Sequence, residues 1–140
     1  MKAVRYHSFG GPEVLKLEDV PKPKPNDDEL LIKNRAVSVN PVDTYFREGK
    51  YEPAELPMIP GSDFSGEVVS IGKNVTGFKI GDRVFGTGLG KDRQGSYSEY
   101  VTAPADHAAK LPENVSFEEG AAVALVGVTS WRALIDHAKL

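Results

Sequence analysis

Between Ser38 and Tyr51 the chain reads SVNPVDTYFREGKY, and four of its side chains carry usable chemistry. Asn40 offers an amide, Asp43 a carboxylate, Tyr45 a phenol and Arg47 a guanidinium, all within one short helix-sized span. Groups of these types can orient a polar ligand or hydrogen-bond a carbonyl that gains charge. The same letters also describe a helix that serves only itself. Asn40 is a good N-cap and Pro41 suits the first helical position, where no donor is missed. Asp43 can accept from first-turn amides, and Gly49 suits a left-handed C-terminal cap. Local pattern alone leaves both readings open.

The whole chain narrows the chemistry. It has 140 residues, enough for one domain with a real core, and 40% hydrophobic and 26% charged residues, near the globular average. Seventeen basic and 20 acidic side chains give a net charge of −3, with no Lys/Arg stripe, so nucleic acid is not an expected partner. No apolar run reaches membrane-spanning length and MKAVRYH lacks a signal-peptide core, so a cytoplasmic location is expected and no membrane association. There is no cysteine, which excludes disulfides, thiolate nucleophiles and cysteine-based metal sites.

The elements that must position these residues are mostly strands. KAVRYH and VLKLEDV read as short strands around the turn-forming FGGPE, and PKPKPNDDE is a connector whose prolines lack donors. LLIKNRAVSV, FSGEVVSIG, DRVFGTG, SYSEYVTA and HAAKLP supply further strands. Within SYSEYVTA, alternation turns Tyr97 and Tyr100 to opposite faces, so the two form no single aromatic wall. Many short strands with frequent turns up to residue 113 predict a small barrel or sandwich, with a short helix near 41–48. After it, Ser116 with Glu119 forms a capping-box pattern opening a helix through FEEGAAVA. Gly127 is expected to interrupt it, and VTSWRALIDHAKL then forms a second helix with Trp131, Leu134, Ile135 and Ala138 on one face. That face is expected to stay partly exposed.

Six segments in order carry a resemblance: MKAVRYHSFGGPEVLKLEDVP, SVNPVDTYFREG, PMIPGSDFSGEV, GFKIGDRVFG, GSYSEYVTAPADHAAKLP and ENVSFEEGAAVALVGVTSWRAL. Together they resemble the medium-chain dehydrogenase/reductase superfamily, in its zinc-independent, zeta-crystallin-like quinone oxidoreductase branch. The resemblance implies a mainly β fold: a GroES-like β-barrel with a short active-site helix, and C-terminal helices leading toward a Rossmann domain. On that basis residues 1–125 form the GroES-like catalytic domain, and residues 126–140 begin the connection to a nucleotide-binding domain. The strand and Gly-rich phosphate loop of such a domain are expected within about a dozen residues of Leu140 and are not in this sequence.

The implied activity is hydride transfer from NADPH to a quinone or enone, with the cofactor bound mostly by the nucleotide-binding domain and the full-length enzyme a homodimer. Asn40, Asp43, Tyr45 and Arg47 are placed by the resemblance beside the nicotinamide half of the cofactor, with Thr129 reaching its carboxamide. Tyr45 is also the catalytic candidate; a phenol keeps its proton at neutral pH, so positioning is the expected role. Ser62 and Asp63 are candidates for the acceptor pocket, with a turn-and-cap role the equal alternative. No metal is expected: zinc-type alcohol dehydrogenase relatives place a cysteine near Asn40 and Gly-His-Glu where this chain has Gly61-Ser62-Asp63, and serine hydroxyls rarely hold zinc. The rival from another class is a stand-alone GroES-like protein-interaction module, for which GTGLGKDRQG offers only Leu89 as an apolar anchor.

Overall fold

A computed structural model describes residues 1–53 and 55–140. The sheet is built around β3 (Glu29–Val37), whose run Leu30–Leu31–Ile32 is buried because neighbours flank it on both edges. On one side lies β4 (Phe64–Ile71), followed by β5 (Arg83–Gly86) and β7 (Ala108–Lys110); on the other lies β6 (Tyr100–Pro104), and every pairing is antiparallel. A separate ribbon of β1 (Lys2–Arg5) and β2 (Lys16–Asp19) closes over one end through hydrogen bonds from Val4 N to Tyr97 O and from Tyr6 N to Met58 O. All seven strands fall on the predicted segments.

Register shifts between Leu31 and Ile32, and again between Asn34 and Ala36, bend β3 against β4. Such bulges raise the local twist, and here they curl the sheet into a half-barrel. Its interior is filled by Leu30, Ile32, Phe64, Val68, Val84, Leu89, Val101 and Ala103. Leu89 comes from the Gly-rich loop before β6 and is buried in this core, so the one apolar residue of that loop is not free to recognise a partner.

Two helices border the sheet. The first, α1 (Pro41–Arg47), lies where the NPVD pattern puts it. The second, α2 (Phe117–Trp131), opens on the expected capping box: Ser116 Oγ accepts from Glu119 N at 3.2 Å, and Ser116 N donates to the Glu119 carboxylate at 2.8 Å. Gly120, Ala121 and Ala124 form its buried strip. Contrary to expectation, Gly127 does not interrupt it. An interior glycine costs a helix about 1 kcal/mol relative to alanine. Here an intact ladder and the packing of Gly120, Ala121 and Ala124 earlier in the helix outweigh that cost; residue 127 itself is half-buried, and a Cβ there would meet only Val123 of its own helix. In place of a second helix, α2 widens into a π-helical segment, Arg132–His137. Trp131 is 63% exposed and Leu134 49%, as the pattern anticipated.

Candidate active site

The helix α1 is seven residues long, too short to hold itself in water, so its order must come from its attachments. At its start Asp43 reaches back to accept from the Asn40 backbone amide at 2.8 Å, and its own N–H donates to the Asn40 carbonyl at 3.0 Å. At its end Gly49 takes φ +75°, the left-handed cap the sequence predicts. Arg47 makes a reciprocal pair with Gly10: its Nε donates to the Gly10 carbonyl at 3.0 Å, and its own carbonyl accepts from Gly10 N at 3.1 Å.

Behind the first turn lies a buried polar cluster drawn from three separate segments. Ser62 Oγ donates to Asp43 Oδ1 at 2.7 Å, and the Tyr97 hydroxyl lies 3.3 Å from Asp43 Oδ2. Asn40 Nδ2 donates to Asp63 Oδ2 at 2.8 Å, and Ser38 Oγ donates to the same oxygen at 2.5 Å. Asn40, Asp43, Ser62 and Asp63 are all buried, and among the described residues no Lys, Arg or His donates to either carboxylate. Asp63 Oδ1 is buried without a protein donor among the described residues. Burial, and then the charge of Asp43, push the Tyr97 phenol far above the ordinary tyrosine range, so it remains a donor.

Of the residues singled out in the sequence, Asn40, Asp43, Ser62 and Asp63 thus share one cluster. Arg47 sits at the other end of α1, committed to Gly10 and to Glu48 at 3.1 Å. Tyr45 is 37% exposed and projects from the clamped helix, its ring edge-on to Tyr51 with centroids 5.9 Å apart and beneath the Lys50 ammonium. Thr129 is exposed on the last turn of α2, outside the cluster. Sequence reasoning missed Tyr97 and Ser38. Alternation gave Tyr97 a face but nothing marked Asp43, 54 positions earlier, as its partner. The three histidines are dispersed, and no group of three or more His, Cys, Asp or Glu gathers among the described residues; His7 pairs with Glu18 at 2.7 Å.

A half-barrel carrying a short clamped helix, with a capped helix against its sheet, is the form of a GroES-like catalytic domain. The alcohol dehydrogenase GroES-like domain matches residues 26–113, and the chain belongs to that family. Human quinone oxidoreductase is 48% identical over 141 residues, an alignment covering 99% of this chain and 42% of the human protein. Among solved structures, a mycobacterial protein complexed with NADPH superposes with a TM-score of 0.92 at 40% identity, covering 100% of this chain and 42% of that one. The Escherichia coli quinone oxidoreductase complexed with NADPH gives 0.90 at 36% identity, covering 99% and 41%. The resemblance drawn from the six segments holds, and the chain spans less than half the length of these relatives.

Proposed function

We propose that this chain is the catalytic-domain portion of an NADPH-dependent quinone oxidoreductase that delivers hydride to a quinone or conjugated enone without zinc. In this reading residues 1–125 are the catalytic domain and 126–140 lead toward a nucleotide-binding domain. The enzyme is then a cytoplasmic homodimer. The observation that carries the reading is Tyr45: an exposed phenol, free of hydrogen bonds among the described residues, held up by a helix fastened at both ends. The names of the relatives support the substrate class, and the two NADPH complexes support the cofactor.

The residues present fit the nicotinamide end of such a cofactor. Tyr45 offers an outward hydroxyl, and the cluster beneath it keeps the floor rigid. NADPH, when bound, supplies the hydride. Tyr45 orients the ribose or hydrogen-bonds the acceptor carbonyl as its oxygen becomes anionic, which is useful because quinones need no Lewis acid to accept hydride. Asn40, Asp43 and Arg47 serve the cofactor through the helix they hold. Ser62 and Asp63 support the acceptor pocket from behind, since both are buried and Ser62 is already bonded to Asp43. Thr129, exposed on the last turn of α2, would reach the carboxamide. Asn40 and Ser62, which stand where zinc-type relatives have Cys and His, are poor zinc ligands, which argues for the metal-free branch. Nothing specific favours the interaction module.

The test is Tyr45→Phe in the full-length enzyme, with steady-state kinetics on NADPH and a simple quinone beside a melting curve. Loss of one such hydrogen bond should lower kcat/KM by roughly tenfold to a hundredfold at unchanged melting temperature. An unchanged kcat/KM would return α1 to a purely architectural role.

A further inference from the structure

Three donors converge on Asp43. Asn40 N belongs to the entry of α1 itself and Ser62 to the turn beside it, but Tyr97 arrives from the loop before β6. Its backbone is fixed independently of α1: its N–H donates to Pro60 O at 3.0 Å, and its carbonyl accepts from Val4 N at 2.8 Å. The ring reaches Asp43 by lying across residue 61, where a Cβ would stand 2.3 Å from Tyr97 Cδ1. Gly61, at φ +101°, is what leaves this path open. Position 97 is therefore set by β1 and the 60–63 turn, and α1 is located against it.

We propose that Tyr97 is a positioning residue for Tyr45: its hydroxyl, through Asp43, fixes the start of α1 as Arg47 on Gly10 fixes the end, so that the Tyr45 phenol stands at one defined place. The inference rests on the reading of Tyr45 as the site's exposed hydroxyl. At 3.3 Å the Tyr97 bond is long, so its contribution is that of a neutral hydrogen bond rather than a short charge-assisted one. Ser62, at 2.7 Å on the other oxygen, cannot substitute for it, because it approaches Asp43 from a different side chain position and leaves Oδ2 to Asn40 alone.

The test compares Tyr97→Phe with the unaltered chain and with Tyr100→Phe. The Tyr100 ring carries Lys22, and its hydroxyl takes no part in the cluster, so it controls for losing a neighbouring phenol. Amide hydrogen exchange and the ring-proton shifts of Tyr45 and Tyr51 are read in each, with NADPH itself titrated into the full-length enzyme. In Tyr97→Phe the α1 amides should exchange about three- to tenfold faster, as the loss of one ordinary hydrogen bond predicts. The Tyr45 and Tyr51 ring signals should move, while β3 and β4 amides stay as they were and Tyr100→Phe changes none of these. Unchanged α1 exchange and ring shifts, or an equal acceleration throughout the sheet, would overturn the positioning role. Failure of NADPH to perturb α1 signals in the full-length enzyme, at a concentration where binding itself is seen, would count instead against the reading of α1 as the cofactor's wall; the exchange comparison still decides the role of Tyr97.

Discussion

Replacing Asp43 with alanine should cost this chain about 2–4 kcal/mol of stability. The carboxylate is buried and accepts from the Asn40 amide, the Ser62 hydroxyl and the Tyr97 hydroxyl. Truncation strands all three. Each buried donor left without an acceptor costs about 1–3 kcal/mol. The two hydroxyls can turn toward other oxygens and fall at the low end, whereas the Asn40 N–H cannot turn. Against this, alanine removes a buried charge to which no cation donates, returning on the order of 1 kcal/mol or more of desolvation. Urea unfolding followed by circular dichroism measures the balance, with an unchanged slope confirming that the same surface is exposed. Asp43→Asn retains one carbonyl oxygen and should lose about half as much. A loss below about 1 kcal/mol for alanine would refute the view that this cluster fastens α1, and would mark Asp43 as a destabilising group kept for another purpose.

Ser116→Ala should lower stability by about 1 kcal/mol through the lost N-cap of α2, measured in the same urea experiment. The Glu119 carboxyl is held below its usual range, first by the Ser116 amide and then by the Ser116 hydroxyl. That stabilisation is present above the unfolded value near 4.5 and fades as pH falls through the lower folded value, so Ser116→Ala should show a shallower acid dependence. Trp131, the one tryptophan, should be quenched freely by iodide, given its 63% exposure. Shielding from iodide would mean that another surface covers the end of α2.

The strands were legible because each buried position belongs to a short β-branched or aromatic run bounded by Gly or Pro, and alternation does not depend on distant residues. The ends of α1 were legible for the same reason: Asn40, Pro41, Asp43 and Gly49 act within one turn of where they stand. Gly127 misled because helix propensity is local, whereas α2 is held by packing such as that of Gly120 against Phe85 and Leu111, and Phe85 is distant in sequence. The cluster behind α1 was half visible. Asn40, Asp43, Ser62 and Asp63 stood out by type, and capping was legible for Asn40 and Asp43, but the cross-links from Asn40 to Asp63 and from Ser62 to Asp43 were not, because their partners lie about 20 positions apart. Arg47 likewise proves committed to a backbone carbonyl in the first ten residues, a partnership that no spacing rule links to position 47.

The fastenings of α1 come from residues 10, 38, 62, 63 and 97, none of them inside the helix. NPVDTYFREG is therefore not a portable motif. Grafted alone onto another barrel, it would bring the phenol and leave behind everything that aims it, and a protein sharing only those ten letters would have no claim to the same site. What is transferable is a set of scattered positions in a given curl of sheet, so a designer would have to move the barrel's rim as one piece.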